Sequence, residues 1–165
     1  MSLSLENASG GNFCFVSAGL TGLSGAATTF STGATTLQYS NQGKILTKAQ
    51  VSGGTTPTTD GVTGNAFNAQ AANTVCCYAW CLDASGNVKL VQGKVIAYTD
   101  TSANSTKVEL PLIPATLTPI AYSVIKNGST GSSWIIGTNN WNATGITVDT
   151  PVNLFSWPSS PPLTA

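Results

Sequence analysis

Histidine and arginine are both missing from this chain of 165 residues, and charged side chains make up only 7% of it, against roughly a quarter in an average soluble domain. Histidine is the usual general base and metal ligand near neutral pH. Arginine is the usual bidentate binder of phosphate and carboxylate. Without either, and with six Lys balanced by six Asp and Glu, the chain lacks the ordinary equipment for acid–base catalysis, zinc chemistry and nucleic-acid recognition. A formal net charge of zero gives neither a polyanion nor an anionic membrane a field to respond to. No run approaches the ~20 apolar residues of a membrane-spanning helix. The start, Met1-Ser-Leu-Ser-Leu-Glu6, has neither the basic n-region nor the apolar h-region of a secretory signal. Synthesis in a cytoplasm is therefore the expectation, with Cys14, Cys76, Cys77 and Cys81 as reduced thiols. The chain reads as a binding or structural protein without enzyme activity or cofactor.

What is present favours β structure. The length suits one domain, and 41% of the residues are hydrophobic, which excludes disorder of the highly charged kind. Threonine fits strands, while Gly, Asn and Ser fit the turns between them. Period-two alternation and β-branched runs predict strands at Asn12–Ser17, Leu37–Tyr39, Lys44–Ser52, Thr74–Leu82, Val88–Tyr98, Lys107–Leu112, Ile120–Lys126 and Ser133–Gly137, then Ile146–Val148 with Leu154–Phe155. Two long runs flank Asp83-Ala-Ser-Gly-Asn87 and predict a hairpin. Only Thr63–Asn73 could hold a helix, of one turn at most, and Gly53–Gly64 reads as a surface loop. Short strands with Gly-rich turns and no βαβ rhythm give an all-β, antiparallel β-sandwich, in a jelly-roll-like version. The domain spans residues 12–155. Residues 1–11 read as an N-terminal arm and 156–165 as a Pro-rich, extended C-terminal arm.

Several patterns resemble chemistry and dissolve on inspection. On a strand Cys77 and Cys81 share a face but lie ~13 Å apart, while Cys76 points away. They read as small buried hydrophobes rather than zinc ligands. Ser123-Val-Ile-Lys126 matches a Ser-x-x-Lys pattern that needs a helix; a strand sends the two side chains to opposite faces. Asp83-Ala-Ser-Gly-Asn87 spaces oxygens like half a calcium loop but lacks the distal glutamate, and reads as a side-chain-bonded turn. Gly43-Lys44 and Gly93-Lys94 lack the rest of a phosphate loop and read as strand lysines. Sequons at Asn7, Asn104, Asn127 and Asn142 follow from the abundance of Asn, Ser and Thr. No two carboxylates are placed together by sequence. Trp80 reads as core. Trp134, Trp141 and Trp157 could pack inside, face a partner, or stack on a sugar.

Low charge makes a dispersed monomer a poor solute, and the arms carry apolar residues with no core of their own. The candidate interface residues are therefore Leu3 and Leu5 of the first arm, Trp157, Pro158 and Leu163 of the second, and Trp141.

Three stretches add a resemblance: Lys44-Ile-Leu-Thr-Lys-Ala-Gln50 leading to Thr56-Pro-Thr-Thr-Asp-Gly-Val-Thr-Gly64-Asn-Ala-Phe67, then Val91-Gln-Gly-Lys-Val-Ile96, then Ile136-Gly-Thr-Asn-Asn-Trp-Asn-Ala-Thr-Gly145. In this order, before a Pro-rich end, the chain resembles the small head decoration (cement) proteins of tailed bacteriophages, over most of residues 12–160. The resemblance rests on turn-and-strand phrases and transfers no catalytic residue. It implies a structural virion protein on the outer capsid surface, whose partners are the major capsid protein and further copies of itself, a homotrimer before a dimer. The other reading is a receptor- or carbohydrate-binding module of a phage fibre.

Overall fold

The run Thr74-Val-Cys-Cys-Tyr-Ala-Trp-Cys-Leu82 has no charge and no polar/apolar alternation, so a strand made from it must be covered on both faces. The fold is arranged around that requirement. The computed structural model describes residues 11–33, 35–98, 108–156 and 158. These form β1 (Phe13–Cys14), β2 (Thr29–Phe30), β3 (Thr36–Asn41), β4 (Lys44–Ala49), β5 (Gly54–Thr55), β6 (Thr74–Leu82), β7 (Val88–Gln92), β8 (Ile96–Ala97), β9 (Thr118–Asn127), β10 (Ile146–Val148) and β11 (Val152–Asn153), and no helix. The protein is all-β and its paired strands are antiparallel, as the composition predicts.

The main sheet runs β10-β9-β6-β7, with β11 also pairing β9 and β8 also pairing β6. A second sheet runs β1-β3-β4, and β2 pairs β5 separately. One face of β6 carries Cys76, Tyr78, Trp80 and Leu82. It packs on Cys14, Leu37 and Tyr39 of the three-stranded sheet, with Phe30, Trp134 and Trp141 completing the cluster. The two sheets thus stack as a sandwich. Phe30 lies 5.0 Å from Trp80, ring to ring, and the Trp80 Nε1–H donates to Ser123 Oγ on β9 at 3.1 Å. The opposite face of β6 carries Val75, Cys77, Ala79 and Cys81. It is covered by Val108, Leu110, Ile113 and Leu117.

That cover is a correction to the expected strand Lys107–Leu112. Residues 108–112 form no strand, because Pro111 and Pro114 remove two ladder donors and the segment lies flat over the sheet face. The expected run Val88–Tyr98 breaks into β7 and β8 at Gly93. A Cβ on Gly93 would stand 2.8 Å from the Cys77 carbonyl oxygen and 2.9 Å from that of Glu109. Ser133–Gly137 forms only a bridge from Trp134 to Gln70 before turning back through the Asn139 N–H to Ile135 carbonyl bond. Gly53–Gly64 is not all loop, since β5 pairs β2 there. Pro119 stands inside β9, where the β6–β9 register shifts between Trp80 and Cys81; a bulge is where a sheet tolerates proline.

The hairpin at Asp83–Asn87 forms as expected, with β6 and β7 paired from Leu82–Val88 to Tyr78–Gln92. A second, tighter hairpin joins β3 to β4. Asn41 pairs with Lys44, and the two residues between, Gln42 and Gly43, have φ of 50° and 77°. That is the left-handed turn Asn-Gly makes best, occupied here by Gln-Gly. Replacing Gln42 by Asn should raise stability by up to about 1 kcal/mol, read as a higher urea midpoint with an unchanged slope. A lower midpoint would mean that the Gln42 side chain contributes more than its backbone conformation costs.

Candidate interaction surface

The chemistry-bearing side chains are engaged in structure. All four cysteines are buried free thiols. Burial pushes Cys14, Cys76 and Cys77 up to about 12 and raises Cys81 as well. The Cys76 thiol donates to the Gly93 carbonyl at 3.3 Å. Among the described residues no three His, Cys, Asp or Glu side chains approach closely enough to hold a metal. Ser123 and Lys126 point to opposite faces of β9, as strand geometry requires: Ser123 accepts from Trp80, while the Lys126 Nζ pairs with Asp149 at 3.0 Å.

Asp83 and Asp60 hold turns. The Asp83 carboxylate accepts from the Ser85 and Asn87 backbone N–H groups and the Asn87 side chain, at 2.9 to 3.0 Å. This is the bonded turn expected from the spacing. Asp60 accepts from the Val62 and Thr63 N–H groups and the Thr63 hydroxyl on one oxygen, and from the Gln92 N–H on the other. Burial alone would raise its carboxyl, but these donors outweigh burial and hold it below the ordinary carboxylate value. Gln92 continues inward: its Nε2 donates to the Tyr78 hydroxyl, which donates to Gln70 Oε1. A depression of about 530 Å³ beside β10 is lined by Tyr98, Lys126, Ser129, Thr130 and Thr147. Its cation is already paired, and its other polar side chains are hydroxyls.

The surface is more informative. Trp141 is 3% exposed; its Nε1–H donates to the Thr29 carbonyl at 2.9 Å and its ring packs 5.7 Å from that of Trp134. Within one chain both indoles are core, so Trp141 offers no ring to a partner or a sugar. Pro158 is half-buried. Leu3, Leu5, Trp157 and Leu163 lie outside the described residues.

Sequence reasoning passed over a different set. On the three-stranded sheet, Cys14, Tyr39 and Leu46 form an inward row. The alternate residues lie on the other face: Phe13, the buried Ser40 and Ile45 in one row, Phe15, Gln38 and Thr47 in the next. Phe13 is 39%, Phe15 43% and Ile45 70% exposed, and the two phenylalanine rings meet edge to face at 4.9 Å. Among the described residues no charged side chain points out from this face, because Lys44 and Lys48 alternate to the other side with Leu46. The Phe155 carbonyl accepts from the Cys14 N–H at 2.9 Å, so another exposed aromatic residue adjoins β1, and both ends of the described chain meet there. The signal was the alternation Phe13-Cys-Phe15. Size suggests the phenylalanines face inward, whereas register turns the smaller cysteine in.

Two tests follow from these burials and bonds. The four thiols should resist a disulfide reagent at mildly alkaline pH in the native protein and all react in denaturant; rapid native labelling of any one would contradict the burial. Asp60 is held below its unfolded value, so its stabilisation is present above about pH 4 and is lost as pH falls further. The urea midpoint of Asp60→Asn should lie below that of the wild type at neutral pH and converge with it in strong acid. A constant gap would show that Asp60 acts through shape rather than charge.

No protein-family model, curated protein or solved structure matches this chain.

Proposed function

We propose that the chain is a decoration protein of a tailed-phage head, a non-enzymatic virion component that binds the outer capsid surface and bridges capsid subunits. The observation that carries this reading is the contrast between a packed interior and an exterior with little charge that leaves several large apolar side chains exposed. The four thiols are buried, Asp60 and Asp83 hold turns and Lys126 pairs with Asp149, while Phe13, Phe15, Val16, Ile45, Val152 and Phe155 stay exposed. Such a surface makes contacts. It does not make or break bonds. The resemblance in the β4, β7–β8 and Trp141 segments points the same way, and a jelly-roll-like sandwich with arms 1–11 and 156–165 suits the role.

The mechanism is mechanical. Each contact contributes about 25 cal/mol per Å² of apolar surface removed from water, less the cost of ordering and association. Repetition over a shell multiplies the effect through avidity. The partners are the major capsid protein and other copies of this chain, arranged as a homotrimer that suits threefold positions. With Trp134 and Trp141 in the core, a sugar-stacking platform loses two of its three candidate indoles.

The test is cosedimentation of the purified protein with assembled heads. The expected stoichiometry is near that of the capsid protein, and little binding should follow when residues 1–8 or 157–165 are removed, with thermal melting unchanged. Absence of the intact protein from the heads would overturn the proposal. Full occupancy by both truncated forms would move the contact from the arms to the sandwich.

A further inference from the structure

We infer that the outward face of the β1-β3-β4 sheet is the self-association surface, with three copies packing Phe13, Phe15 and Ile45 around a threefold axis. This rests on the homo-oligomer part of the reading above and names the surface that makes it.

Three observations choose the occupant. The first is charge. With no charged side chain pointing out among the described residues, the face meets its own copies without repulsion or buried ions, whereas a charged partner would lose solvation and gain no counter-charge. The second is width. Three strands at a spacing of ~4.8 Å make a face ~14 Å wide, and an equilateral triangle of that side places each sheet ~4 Å from the axis, close to half the ~10 Å between packed sheets. Three such faces therefore fill the space between them with their own side chains.

The third observation is the open edge. β4 ends its sheet and pairs only with β3 among the described residues. Two faces stacked about a twofold leave both β4 edges in water, still able to recruit further strands. A head-to-tail triangle brings each β4 edge against the β1 and Phe155 side of the next copy and closes after three. The ends of the described chain also meet at this β1 edge.

Native mass spectrometry and sedimentation of the intact chain at micromolar concentration test this without heads. The expected result is a three-chain assembly for the wild type and for Leu112→Glu, which charges a residue 92% exposed elsewhere. Single chains are expected for Ile45→Glu and Thr47→Lys, with near-UV circular dichroism showing an intact core. A trimer that survives both face substitutions overturns the inference, and so does a wild type that is dimeric or monomeric. A wild type that trimerises only after residues 1–10 are removed would show that its own N-terminal segment covers the face, and overturns it too. If the trimer behaves as expected but does not bind heads, the decoration reading fails and this inference stands.

Discussion

Strand β6 has no face left for solvent, and most of the architecture follows from that. From Val75 to Leu82 every residue is buried. One face carries bulk, Tyr78 and Trp80 above all, and needs a full second layer; the three-stranded sheet and Phe30 supply it. The other carries Cys77, Ala79 and Cys81, small enough for an irregular segment to lie close. The Val108–Leu117 cover does so without a ladder of its own. The cysteines are thus explained by size. A larger residue at 77 or 81 would lift the cover, and a polar one would need a partner that the cover, with its prolines, is poorly placed to give.

Low charge raises a second question, namely what ties the layers together. Amide side chains do most of it. Asn12 donates to the Ala115 and Leu117 carbonyls and accepts from the Gln42 N–H, joining the start of β1, the tight hairpin and the cover. Asn41 donates to Thr116 and Thr118. Gln70 and Asn127 link the Trp134 segment to β9, and Asn153 accepts from the Leu20 N–H. Each such bond contributes about 1 kcal/mol net, and losing one partner leaves a buried group unsatisfied at greater cost. Amides do not titrate. Apart from carboxylates such as Asp60 and Asp83 and the Lys126–Asp149 pair, the links between the layers carry no charge.

The fold class was legible because strand periodicity is local. β6, β7, β4, β9 and the Asp83 hairpin can be read from runs of residues and one turn. Sheet order was not legible, since β9 joins β6 across a separation that no pattern encodes. β2 and β5 are two residues long and carry no period; they exist because Phe30 enters the core. Lys107–Leu112 alternates like a strand, yet its prolines and its place over a finished sheet make it a cover. The candidate site divided along the same line. Composition pointed to contact rather than chemistry, and of the places open to Trp141, a residue near a turn, the fold gives it the interior. Phe13 and Phe15 were missed because facing is decided by register with β3.

The segments that carry the resemblance show why it transfers so little chemistry. Lys44–Gln50 is the β4 edge and leads to the Thr56–Phe67 loop held by Asp60, Val91–Ile96 spans the break at Gly93, and Ile136–Gly145 is the turn that delivers Trp141 to the core. Two of the three are constrained by packing inside one chain, and any family sharing this interior would keep them whatever its exterior binds. The β4 stretch and the Thr56–Phe67 loop carry most of their exposed residues. On the proposed reading, recognition would rest on shape, apolar area and open strand edges, which are weak when isolated and strong when repeated over a symmetric surface.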